Sequence, residues 1–265
     1  KYFTLDRTYN AGWNLTNSIT IDYNSRANSI IDEPEGAINT DEKRDSVRTN
    51  LENLGRMKNF DQTISANYTL PLDKLPITDW ISADYRYSAS YAWEAGPFYQ
   101  DQAQRDSLDY GNIIQNSRDN AITGKLDLVK LYNKINYLKN INSPPSATRR
   151  SSLRSNAADT EETTAEGNTL ASSFFRFLMS LRSINATVGF REGTLIPGFN
   201  KRAFMFGLDS SFSEPGIPFI LGSQNPDIRR SLAESGNISS NPDLTAPFTQ
   251  TKSVDINIRA DVSLS

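Results

Sequence analysis

Residues able to do chemistry are few in this sequence, and their spacing suits little of it. Histidine and cysteine are absent from all 265 residues. Their absence excludes an imidazole general base, Ser-His-Asp and Cys-His nucleophiles, and zinc sites built on thiolate or imidazole. It also excludes a disulfide framework. The densest carboxylate group is Asp32, Glu33, Glu35, Asp41 and Glu42, a set that could hold calcium. It lacks the alternating spacing and central glycine of a calcium loop, and Lys43 and Arg44 follow at once, so it reads as a solvated loop. Arg149, Arg150 and Arg154 could meet anionic headgroups or an acidic partner, but Asp159, Glu161 and Glu162 cancel their charge. Nothing singles out a glycosidase pair among the 31 Asp and Glu. No phosphate-cradling glycine loop of the nucleotide-triphosphate or dinucleotide type is present. The expectation is no enzyme, no catalytic residue, no metal and no cofactor.

Composition points the same way. Lys and Arg number 28, so the formal net charge is −3. A nucleic-acid partner would need a basic excess on one face, and none is expected. Apolar residues make up only 37% of the chain, with 25 Asn and 30 Ser. That is too little for a thick conventional core, yet the aromatic share is normal and argues against simple disorder. An architecture in which only every second residue must be apolar fits both facts.

The elements that would position such residues are strands. Over residues 80–93, Ile81, Ala83, Tyr85, Tyr87, Ala89, Tyr91 and Trp93 alternate with Ser82, Asp84, Arg86, Ser88 and Ser90. That is a period of two, with one face apolar throughout. About thirteen residues tilted by about 40° rise roughly 30 Å, enough to cross a bilayer's hydrocarbon. Tryptophan at both ends is what an interfacial girdle would supply, so Trp80 and Trp93, with Trp13, are expected there. The reading makes Ile81, Ala83, Tyr85, Tyr87, Ala89 and Tyr91 lipid-facing, and Asp84, Arg86 and Ser88 lumen-facing. The C-terminal stretch repeats the pattern. Val254, Ile256, Ile258, Ala260, Val262 and Leu264 would meet lipid, and Asp255, Asn257, Arg259 and Asp261 the lumen. Shorter versions fall at 62–72, 121–128, 183–191 and 17–24, and Phe3 and Leu5 suggest the tail of another. Seven strands are expected.

Connections of alternating length are typical of membrane barrels. Residues 9–14 and 71–76 read as tight links, and 26–53 and 94–112 as long outer loops. Residues 1–142 thus form barrel strands and loops. Residues 143–168 read as a disordered Pro/Ser/Arg linker. In 169–192, Leu170, Phe174, Phe177, Leu178 and Leu181 stand at helical spacing before a strand. That stripe would lie either at the membrane surface or against the barrel's own rim. Residues 193–250 form an inserted subdomain with a helix near 226–234, its turns shaped by Gly207, Gly216 and Gly222. It would fold into the lumen or cap the outer rim. Residues 251–265 return as a strand. Seven is odd, whereas single-chain bacterial barrels have an even number of at least eight strands, so either the count misses one strand or the chain is a sector of a larger barrel.

Several blocks, in order, carry a resemblance to one family. They are Arg7-Thr8-Tyr9 with Trp13-Asn14-Leu15-Thr16, Ile31-Asp32-Glu33-Pro34-Glu35-Gly36, Asn53-Leu54-Gly55-Arg56, and Tyr68-Thr69-Leu70-Pro71-Leu72-Asp73-Lys74 with Asp79-Trp80. Gly111-Asn112-Ile113-Ile114-Gln115-Asn116, Leu131-Tyr132-Asn133-Lys134, Phe177-Leu178-Met179-Ser180, Pro215-Gly216-Ile217 and Gly222-Ser223-Gln224 continue them. Together they resemble the very large outer-membrane translocon of the Bacteroidota type IX secretion system, known as SprA or Sov. The resemblance implies an all-β fold, a sector of a very large antiparallel transmembrane β-barrel with long loops and short helices. It implies residence in the bacterial outer membrane and export of folded cargo proteins, in support of gliding motility or surface display. Its implied partners are outer-membrane lipid, a PorV-type shuttle barrel, a plug protein and secreted cargo. Two rivals are a TonB-dependent-transporter-like barrel and a soluble β-rich surface or adhesion protein.

Overall fold

The computed structural model describes residues 2–98, 110–135, 177 and 179–263. Seven strands form one antiparallel sheet in chain order. They are β1 (Tyr2–Thr16), β2 (Ile19–Asp32), β3 (Arg56–Leu70), β4 (Ile81–Glu94), β5 (Asn112–Asp127), β6 (Leu181–Phe199) and β7 (Thr249–Val262). The protein is all-β with seven long strands, as the alternation predicts. β1 and β7 form the two edges, and the sheet is not closed on itself. The shortest strands have 14 residues and β6 has 19, against about five or six in ordinary sheets.

Register explains where the sequence reading misplaced the first connection. Residues 9–14 are not a link. They lie inside β1, paired from Tyr9↔Ser25 to Asn14↔Thr20. The turn comes at Asn17 and Ser18 instead. There the Thr16 hydroxyl accepts from the N–H groups of Ser18 and Ile19, both at 3.1 Å, and this side-chain cap replaces the ladder bonds that end there. Gly12 pairs with Asp22 on the polar face, where a missing side chain costs no packing.

A second correction concerns residues 26–53, which are not one long loop. β2 continues to Asp32 because Ala27, Ser29 and Ile31 keep the alternation and are buried. The carboxylates Asp41 and Glu42 then open a helix, α1 (Asp41–Glu52). Acids in the first turn favour the helix dipole, and Arg48–Glu52 adds an i,i+4 pair at 2.9 Å.

Three further α-helices among the described residues are short. α2 (Leu128–Lys134) starts at Asp127, whose side chain accepts from the Lys130 N–H at 3.1 Å. α3 (Ile217–Ile220) and α4 (Ile228–Glu234) follow β6, and α4 occupies the expected helical stretch. β6 itself runs on to Phe199, taking the first residues assigned to the insertion. Gly207, Gly216 and Gly222 all have positive φ, as their turn roles require.

The chain divides into two compact units. Unit 1 comprises Lys1–Tyr68, Tyr85–Ala121 and Gly189–Asp255; unit 2 comprises Thr69–Asp84, Ile122–Val188 and Ile256–Ser265. The buried hydrophobic cluster of unit 1 contains Phe60, Tyr91, Trp93, Ile114, Ile196, Phe199, Phe219 and Leu232. In unit 2, Tyr132 of α2 is buried and its hydroxyl donates to the Leu181 carbonyl at 3.3 Å. The 143–168 linker, Arg149, Arg150, Arg154, Leu264 and most of the amphipathic stretch at 169–181 lie outside the described residues.

Candidate functional site

Side chains that bond across neighbouring strands must share a face, so the two faces of the sheet can be traced from strand to strand. Ser65 and Ser88 hydroxyls meet at 3.2 Å, the Thr69 hydroxyl donates to Asp84 at 2.7 Å, and Ser90 and Ser117 meet at 2.7 Å. Arg191 reaches Asp119 at 2.8 Å, and the Ser183 hydroxyl donates to Asp261 at 2.6 Å. Asn28 and Arg26 both donate to Asp6. These residues all belong to one parity of each strand. That parity carries Asp, Asn, Arg, Ser and Thr from β1 to β7, including Asp84, Arg86, Ser88, Asp255, Asn257, Arg259 and Asp261. Its ion pairs are exposed and contribute little to stability. Turned towards lipid, each Arg or Lys at mid-membrane depth would cost about 2–4 kcal/mol. This face has to meet water.

The opposite parity is apolar. It carries Ile21 and Tyr23 on β2, opposite Ala66 and Ile64 on β3. On β4 it carries Ile81, Ala83, Tyr85 and Tyr87, and on β6 Ala186, Val188 and Phe190. On β7 it carries Val254, Ile256, Ile258, Ala260 and Val262. The β7 set spans residues 254–262, close to the roughly 9–11 residues a tilted membrane strand needs. Its side chains are bare, with Ile256 66% and Ile258 69% exposed. A patch of that kind is uncommon on a water-facing surface.

Within unit 1 the same parity is covered at one end by residues 200–248. Ala89, Tyr91 and Trp93 are therefore corrected: they do not face lipid or an interface. They are buried, Tyr91 to 1% and Trp93 to 2% exposure, beneath the insertion. Tyr91 packs against Phe60 at 6.4 Å between ring centroids and against Phe219, edge-on, at 6.1 Å. The Trp93 indole N–H donates to the Lys201 carbonyl at 3.0 Å. Gly207 approaches so closely that an added Cβ would lie 2.3 Å from Tyr91 Cε1. The Tyr87 hydroxyl, at the margin of this cover, donates to the Leu221 carbonyl. Trp13 and Trp80 are different. Each stands within a few residues of a short turn; Trp13 is exposed, and the half-buried Trp80 donates to the Ile77 carbonyl at 2.8 Å.

Polar side chains on the covered parity are what anchor the insertion. Asn116 Nδ2 donates to the carbonyls of Phe219 and Ser223, at 2.8 and 3.0 Å, and its Oδ1 accepts from Gln224 at 3.0 Å. The Thr194 hydroxyl donates to Gln224 at 2.7 Å. The bare stretch is bounded on β6 and β7 by Glu192 and Lys252, which pair with each other. On β5 the polar residues run through Arg118, also paired with Glu192, to Asn120, whose Oδ1 accepts from the Tyr85 hydroxyl at 2.9 Å. The sequence reading missed this network. Its signal was present: the apolar parity turns polar at Gln62, Asn116, Arg118, Glu192 and Thr194.

The insertion has its own electrostatic knot. Burial pushes the Asp209 carboxyl up. The Ser211 hydroxyl, the N–H groups of Glu214 and Ser213, and nearby Lys201 outweigh it and hold the group below the usual carboxylate range. Burial raises the Tyr132 phenol in α2. No group of three or more carboxylates able to hold a metal occurs among the described residues. No helix among them is long and apolar enough to cross a membrane. No family model matches the chain, and no curated protein matches it.

Proposed function

We propose that this chain is part of the wall of a very large outer-membrane β-barrel that conducts folded proteins, of the kind the SprA/Sov family builds for type IX secretion. The observation that carries the reading is the division of the seven strands into a continuous polar face and a bare apolar stretch on the opposite parity. Strands of 14–19 residues supply the height. Among the described residues β1 and β7 each have a neighbouring strand on one side only. Such edges supply the means of continuing the wall, because an edge strand presents a row of backbone donors and acceptors. Function here is conduction rather than chemistry. A lumen lined by Ser, Asn, Asp and Arg offers a folded passenger no apolar surface to stick to.

This reading also assigns a side to the insertion. With the polar parity towards the lumen, residues 200–248 pack on the outer side of the wall. They brace the strands there rather than narrowing the pore. A PorV-type shuttle barrel, a plug protein and secreted cargo remain the proposed partners, and the bacterial outer membrane the proposed location.

The test is made in the native bacterium on the complete gene. The protein is expected in outer-membrane fractions after alkaline carbonate washing, and deletion of β1–β7 is expected to leave folded cargo in the periplasm. Release into the soluble fraction would favour a β-rich surface protein instead. Normal cargo export after the deletion would refute the translocon reading.

A further inference from the structure

Beside the insertion, unit 1 has an apolar groove of about 1040 Å³. Its walls are Tyr9, Trp13 and Tyr23 from the first hairpin, and Phe204, Met205 and Phe206 from the insertion. Five of these six are about half exposed, Phe206 most of all. An aromatic lining of this density is not left to water without reason. The volume lies at the upper end of sites that enclose a small amphiphile.

The rim is basic. Arg7, Lys201 and Arg202 line the same groove. Neither Lys201 nor Arg202 forms a salt bridge among the described residues. Arg7 spends one guanidinium nitrogen on Ser29 at 3.2 Å, and its buried Nε has no partner. The two carboxylates that line the groove are already engaged. Glu52 pairs with Arg48 at 2.9 Å, and Asp209 accepts from Ser211 and from the N–H groups of Ser213 and Glu214. The groove therefore joins an apolar cleft to three cationic side chains that form no salt bridge among the described residues, Lys201 acting on Asp209 only through its field.

We infer that this groove binds one phospholipid of the membrane with a net-anionic headgroup, its chains on Tyr9, Trp13, Tyr23 and Phe206 and its phosphate at Arg7, Lys201 and Arg202. Guanidinium and ammonium groups favour phosphate through charge-assisted hydrogen bonds, and the aromatic walls supply the apolar contact that an acyl chain needs. The source of the lipid rests on the membrane reading above; the binding chemistry does not.

The experiment uses the full-length chain, freed of lipid in a non-ionic detergent, with a fluorophore on Ser210→Cys at the groove. Short-chain brominated phosphatidylglycerol, its phosphatidylcholine counterpart and inorganic phosphate are titrated separately. Phosphatidylglycerol should quench saturably, and phosphatidylcholine at least about tenfold more weakly, the difference reporting the anionic headgroup. Replacing Arg7, Lys201 and Arg202 together by Gln should remove that preference, and Phe206→Ser should weaken both lipids. Protease resistance of the insertion checks that each variant is folded, and Arg202→Gln alone serves where the triple variant is not. Equal binding of the two lipids, an unchanged preference in the Gln variants, or competition by free phosphate as strong as by lipid would overturn the inference. Because binding is read in detergent, it can fail while the strand parity still holds in a bilayer, and the reverse.

Discussion

On β4 the apolar parity ends under protein, and on β7 it ends exposed. Tyr91 and Trp93 are almost wholly buried, whereas Ile256 and Ile258 are about two-thirds exposed. Both strands have 14 residues and keep the same period of two. The difference lies in the polar atoms carried by the apolar parity. Trp93 brings an indole N–H, and its surroundings bring Asn116, Gln62 and Thr194; the first three of these groups bond to the insertion or to a neighbouring tyrosine, and Thr194 bonds to Gln224. Val254, Ile256, Ile258, Ala260 and Val262 bring no polar side-chain atom. A bilayer interior offers no hydrogen-bond partner, so only the second kind of surface suits it. On the proposed reading, polar atoms such as those of Asn116 and Thr194 on the apolar parity mark where the insertion takes the place of lipid.

The largest expected effect is on the covered strand. Tyr91→Ala should cost about 3–5 kcal/mol, because it empties a site packed by Phe60 and Phe219. Denaturant unfolding followed at the insertion measures it. A loss below about 1 kcal/mol would remove the distinction between covered and bare strands.

Next comes the bare strand. Ile258→Arg should cost about 2–4 kcal/mol in membrane insertion, and Asn257→Arg little, because the two side chains point to opposite faces. Folding into vesicles compares them directly. Equal cost at both positions would contradict the assignment of faces.

A smaller effect concerns the cover itself. The Asp209 carboxyl has its pKa depressed below the unfolded value of about 3.9. Its contribution is therefore fully present above that value and is lost as pH falls through the folded-state pKa. Limited proteolysis on lowering the pH should show residues 200–216 opening only below about pH 4, and Asp209→Asn should flatten that dependence. Opening at neutral pH would mean that the hydrogen bonds to Asp209 do not hold the turn.

The smallest effect sharpens the first. The Tyr91 hydroxyl is buried without a partner, so Tyr91→Phe should be close to neutral or slightly stabilising. A loss comparable to that of Tyr91→Ala would show that the hydroxyl, and not the ring, holds the insertion.

Strand number, type and parity were legible because the period of two persists in residues 81–93 and 254–262, where no other regular element would produce it. Strand ends were less so. Gly12 and Asn14 resemble turn residues, yet the Thr16 hydroxyl places the turn three or more residues later. The acidic group near residues 32–42 contains a helix start because Asp41 and Glu42 favour the helix dipole. What covers each face was the least legible. It depends on contacts between residues more than a hundred positions apart, such as Asn116 with Phe219 and Trp93 with Lys201, and alternation within one strand carries no trace of them. Only the interruption of the apolar parity hinted at it.

The central claim is that β7 separates lipid on one parity from water on the other. The chain has no cysteine, so single cysteines can be introduced here without a background from this segment. In intact outer membranes, cysteine at Asp255, Asn257 or Arg259 should react with a membrane-impermeant maleimide. Cysteine at Val254, Ile256 or Ile258 should stay unreacted until detergent dissolves the bilayer. Equal labelling of both parities in the intact membrane, or protection of the Asp255 parity, would contradict the account.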